Sequence, residues 1–144
     1  MRKILLILFL VVIILVGCEN DELEEAFNPD ENQIAVEVVE NFWNEFENEN
    51  NEKILDYIND DFQAEMFGAG IYSKNHFKDH LNLWFQDEYE IKEIEWIEFW
   101  EYEGTNIILP EFKLIYLKND NEHESQFYFY IYKDNKEIFM IEEY

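Results

Sequence analysis

A chain of 144 residues can hold one domain around one core, and an aromatic share of 18% rules out global disorder despite a formal charge of −24. With 34 acidic side chains against 10 basic ones, it lacks the cationic patches that nucleic acid and anionic lipid head groups require. Its single cysteine excludes an internal disulfide.

The chain starts with Met1-Arg2-Lys3, a short basic stretch. Residues 4–16 contain no polar side chain, and Gly17 and Cys18 close the run. Thirteen apolar residues fall short of the roughly 20 that a membrane-spanning helix needs. A positive start, a short apolar core and a small residue at the end is the layout of a cleaved signal. The stretch Leu15-Val16-Gly17-Cys18 resembles the lipobox of bacterial lipoproteins. That resemblance implies cleavage between Gly17 and Cys18, with a diacylglycerol on the Cys18 sulfur. The expected location is the extracytoplasmic side of the cell membrane, held there by lipid. Two or more acyl chains anchor stably, whereas one does so only marginally. Losing residues 1–17 removes Arg2 and Lys3, so the formal charge falls from −24 to −26.

Residues 18–28 read as an acidic tether, carrying Glu19, Asp21, Glu22, Glu24 and Glu25. A domain is expected over residues 29–144. Its first helix starts where Asn28 can cap, Pro29 suits the first helical position, and Asp30 and Glu31 suit the positive helix end. Ile34, Val38, Phe42 and Phe46, with Val39 and Trp43 beside them, form one apolar stripe. The polar run at residues 48–51 ends it. A second helix is expected to carry Ile54, Leu55, Ile58 and Phe62, with Asp60 and Asp61 near its end. Gly68 and Gly70 then mark a bend beside a short strand. Ser73 can cap a third helix reaching about Gln86, with Phe77, Leu81, Trp84 and Phe85 on one face.

From Tyr89 the period changes to two. Four strands are expected over about 89–103, 107–118, 124–133 and 136–143, with turns at Gly104-Thr105-Asn106, Asn119-Asp120-Asn121 and Asp134-Asn135. A phase shift between Ile91, Ile94, Trp96 and Phe99 predicts a bulge. Pro110 predicts an edge or bulge position.

The order of elements resembles the nuclear-transport-factor-2-like superfamily, also called cystatin-like. Four segments carry the resemblance: Val38-Val39-Glu40-Asn41-Phe42-Trp43; Ile54-Leu55-Asp56-Tyr57-Ile58 running into Asp61-Phe62; Gly68-Ala69-Gly70; and residues 77–85. It covers about residues 30–144. It implies an α+β cone: three N-terminal helices on a bent antiparallel sheet of four long strands plus one short strand. It also implies a conical pocket, which in the family's enzymes presents an Asp or His. Many members bind without catalysis, and many dimerise through the sheet. Here the inner strand positions are Phe112, Leu114, Phe129 and Ile131, a departure from the polar lining of the enzymes. Tyr128, Tyr130 and Tyr132 fall on the opposite face, flanked by Tyr116 or its neighbours. They are the expected surface for a homodimer or a protein partner.

His76 and His80, four residues apart, share one face of the third helix beside Asp79. The metalloprotease pattern needs Glu directly after the first His, and Phe77 stands there. They read as surface histidines, as does His123, and no metal or cofactor is expected. The reading is a lipid-anchored, non-enzymatic module that binds a small apolar ligand or a protein partner. Two alternatives are an immunity-type lipoprotein that neutralises a cationic toxin or peptide, and a polyketide-cyclase-like enzyme.

Overall fold

Between Gln33 and Glu47 apolar side chains recur every three or four residues, and this stretch winds into helix α1. The computed structural model describes residues 32–102 and 104–144. The signal, Cys18, the tether and the helix-start residues Asn28, Pro29, Asp30 and Glu31 lie outside them. Helix α1 buries Ala35, Val38, Val39, Phe42, Trp43 and Phe46. Ile34, expected on the same stripe, is exposed, because Ala35 takes the inward position in the first turn.

Helix α2 is a short element, Asn51–Asp56, capped by the Asn50 side chain, which accepts from the Lys53 amide. The expected continuation of this helix through Phe62 does not occur. After Tyr57 the chain enters strand β1, Ile58–Met66. Ile58 and Phe62 are both buried, and a spacing of four fits one helical turn as well as two strand periods. Burial at Phe62, Ala64 and Met66 follows the period of two. The strand is held from both sides. It runs parallel to the C-terminal strand, with Ala64 opposite Ile141, and antiparallel to strand β2, Ala69–Ile71. Phe67 and Gly68 make the β1–β2 turn with φ of 51° and 73°. Left-handed values at both positions suit a tight hairpin, and Gly68 adopts its value without a Cβ clash.

Helix α3, Lys74–Trp84, starts as expected at Ser73, whose hydroxyl accepts from the His76 amide at 3.2 Å. Phe77, Leu81 and Trp84 face the core. Strands β3 (Tyr89–Glu101), β4 (Ile107–Lys118), β5 (Asn121–Tyr132) and β6 (Glu137–Glu143) follow. Asn119 and Asp120, with φ of 50° and 63°, form the β4–β5 turn. The expected β3 bulge is present and double: the register shifts between Ile91 and Glu93 and again between Trp96 and Glu98. Pro110 lies in β4, an internal strand and not an edge. It faces Phe99 next to the second register shift, and the ladder to β5 passes from Ile108 to Glu111 without pairing it. The missing N–H therefore leaves no ladder bond broken.

The sheet has six strands in the order β2-β1-β6-β5-β4-β3, where four long and one short were expected, and its β1–β6 pair is parallel. The architecture is the expected α+β one, with three helices against one face of a bent sheet. Phe112, Leu114, Phe129 and Ile131 are fully buried on that inner face. Phe42 meets Phe129 edge-on at 5.2 Å, and Trp43 meets Phe127 at 5.2 Å. This aromatic layer joins helix α1 to the sheet.

Candidate binding site

The inside of the cone is occupied by rings. Phe67, at the tip of the β1–β2 hairpin, points its ring among Trp84 at 5.1 Å, Tyr89 at 5.6 Å, Tyr116 at 5.7 Å and Phe46 at 5.8 Å. Its amide donates to the Glu143 carboxylate, which ties the hairpin to the end of β6. Outside this plug lies an open cleft of about 480 Å³ that includes Glu65, Lys118, His123 and Glu143. Tyr116 was expected to flank the outer tyrosine row. It instead faces inward and is 5% exposed, because it lies in phase with Phe112 and Leu114 on β4.

The outer face has a different composition. Tyr128, Tyr130 and Tyr132 alternate with the buried Phe127, Phe129 and Ile131 and are half-buried. Tyr132 stacks on Phe139 at 4.4 Å, and Tyr128 meets Tyr144 edge-on at 5.2 Å. The Tyr130 hydroxyl donates to Glu142 at 2.9 Å, and the Tyr144 hydroxyl donates to the same carboxylate at 3.3 Å. Burial, then Glu142, pushes the Tyr130 phenol well above its ordinary range.

Across the ladder from Tyr128 stands Glu111. It is 8% exposed and is the one buried charged side chain among the described residues. Its carboxylate accepts from the Gln126 amide at 2.5 Å, and hydrogen bonding to it raises the Tyr128 phenol above its usual value. None of the ion pairs among the described residues reaches it. Beside it is a pocket of about 410 Å³ lined by Trp100, Glu101, Tyr102, Leu109, Glu111 and Tyr128. Trp100 and Tyr102 are about half exposed. Sequence reasoning missed Glu111 and Trp100. The available signal was one acid inside the apolar run of β4, at a position in phase with Leu109.

His76 and His80 bring their Nε2 atoms to 3.1 Å on α3, half-buried beside the core-facing side. No set of three ligating side chains converges among the described residues. His123 stacks on Tyr116 at 5.4 Å. No helix among the described residues is long and apolar enough to cross a membrane.

The tyrosines set an alkaline limit on the fold. Tyr89, Tyr116, Tyr128, Tyr130 and Tyr144 are all raised, the first two chiefly by burial. In the unfolded chain a phenol ionises near pH 10. Stability from the neutral phenols is whole below that pH and is lost as pH rises toward the higher folded values. Circular dichroism is expected to report unfolding above about pH 10, in step with the phenolate absorbance of these five tyrosines. Ionisation of all nine tyrosines at ordinary alkaline pH with the fold intact would contradict this.

No protein-family model matches the sequence, and no curated protein matches it. Solved structures do. A protein of unknown function with a cystatin-like fold from Nostoc punctiforme superposes with a TM-score of 0.60 at 10% identity, covering 81% of this chain and 92% of that one. A nuclear-transport-factor-2-like protein of unknown function from Cytophaga hutchinsonii gives 0.52 at 13% identity, over 74% and 85%. A candidate polyketide cyclase from Xanthomonas campestris pv. campestris gives 0.59 at 14% identity, over 78% and 90%. The protein has the nuclear-transport-factor-2-like, or cystatin-like, α+β fold. Likeness at such identity establishes the fold and carries no activity with it.

Proposed function

We propose that this chain is a lipid-anchored binding module that takes a basic protein or peptide on the outer face of its sheet. One observation carries the reading: tyrosine rings and carboxylates interleave on that face, with Tyr128 opposite Glu111 and opposite Glu142 on its other side. Aromatic rings beside acids suit a partner that offers both apolar contact and positive charge. The formal charge of −26 on the chain from Cys18 onward attracts such a partner and repels a second copy of this chain. A small apolar ligand inside the cone would have to displace the rings packed around Phe67. A polyketide-cyclase-like reaction would need polar groups where Phe112, Leu114, Phe129 and Ile131 stand. The lipid on Cys18 would hold the module on the extracytoplasmic side of the membrane.

The test separates the rings from the charge. A peptide rich in lysine and leucine is expected to bind the wild-type chain. Tyr130→Ser combined with Tyr132→Ser removes two rings and leaves the net charge alone. Affinity is expected to fall about tenfold or more, with the circular-dichroism spectrum unchanged. Equal affinity for the double variant would reduce binding to the general acidic field and sink the reading. A dimer that strengthens with salt in sedimentation would assign the face to a second copy instead.

A further inference from the structure

We infer that the pocket between β3 and β4 on the outer face is a site for an alkylammonium head group, with Glu111 as its counter-ion and Trp100, Tyr102 and Tyr128 as its walls. The inference rests on the binding reading above and names the chemistry of its central contact. A buried carboxylate is costly unless a cation or several donors compensate it. Glu111 has one amide donor in Gln126 and the Tyr128 phenol, and no lysine. The other acid lining the pocket, Glu101, is already paired with Lys133 at 3.2 Å, and Glu98 stands across the β3–β4 ladder from Glu111. The pocket therefore offers one buried carboxylate that has hydrogen-bond donors but no cationic partner among the described residues.

The walls suit the same ligand. An ammonium group over the face of Trp or Tyr is attracted by the ring quadrupole, and Trp attracts it best. Trp100 is 48% exposed, and neither it nor Tyr102 stacks on another ring among the described residues. Leu109, 7% exposed, supplies an apolar side for methylene or methyl groups. A volume of about 410 Å³ holds such a head and a short aliphatic stem. A phosphate or carboxylate ligand would meet Glu101 and Glu111 and be repelled. A neutral aromatic would fill the walls but leave Glu111 without a cation.

The experiment is calorimetric titration of the full-length chain, held in non-ionic detergent. The probes are choline, N-acetyl-lysine methylamide and the neutral tert-butyl analogue of choline. One or both cations are expected to bind saturably, and the neutral analogue about tenfold more weakly or worse. Tighter binding of choline points to a free quaternary amine, and tighter binding of the lysine derivative points to a side chain of the partner. Glu111→Gln keeps the side-chain shape and an acceptor for Gln126, and it is expected to weaken the cations about tenfold while leaving the neutral analogue unchanged. Trp100→Leu is expected to weaken them by a similar factor. Glu122→Gln, on an exposed stretch of β5, should change nothing. Equal binding of choline and its neutral analogue would overturn the inference, and so would Glu111→Gln binding like wild type. If the cation-specific response persists but the lysine- and leucine-rich peptide does not bind, only the protein-partner reading fails. If the peptide binds and the cation preference is absent, only this inference fails.

Discussion

Trp43→Ala is expected to destabilise the protein by about 3–5 kcal/mol, a large part of the roughly 5–15 kcal/mol that holds a domain together. Trp43 is 1% exposed and touches Phe42 at 5.2 Å, Phe46 at 5.4 Å and Phe127 at 5.2 Å. These are rigid rings set in both α1 and the sheet, so they cannot close around the space left behind. Trp43→Phe should behave differently. The indole Nε1 is buried without a hydrogen-bond partner among the described residues. Losing it removes an uncompensated donor along with the ring area. Denaturant unfolding is expected to show a cost of only about 1–2 kcal/mol for Trp43→Phe. A similar cost for both variants would mean that the core repacks around the gap and that the aromatic layer does not join helix to sheet as described.

Cys18→Ser is expected to abolish lipidation outright. The thiol is the acceptor that the lipobox resemblance requires, and a hydroxyl does not replace it. In a bacterial host the wild-type chain should be recovered with the membrane, with a mature N-terminus at Cys18 that is heavier by its lipid. The variant should accumulate as the uncleaved precursor, still carrying residues 1–17. Each buried methylene contributes about 0.8 kcal/mol to anchoring, so losing whole acyl chains is an all-or-none effect. A lipid-free N-terminus at another residue, found by mass spectrometry, would end the lipoprotein reading. The fold and the outer-face site would be untouched by that result.

Much of this molecule is legible from short stretches of sequence. The α1 stripe, the Ser73 cap, the turn at Asn119 and Asp120 and the β3 bulge each follow from side chains within a few residues of one another. Local sterics and local hydrogen bonds decide them. The lipobox reading is local as well. Strand β1 is different: Ile58 and Phe62 satisfy helix and strand spacing alike, and what selects the strand is pairing with β6, nearly eighty residues later. Tyr116 and Tyr128 look equivalent as aromatics in period-two runs. Strand phase sends the first into the cone, and the second stays on the outer face. Glu111 reads as one acid among 34. Only the packing of β4 between β3 and β5 buries it beside Trp100 and Tyr128 without a lysine. Burial of a charge depends on which strands become neighbours, and that is set by contacts far apart in the chain.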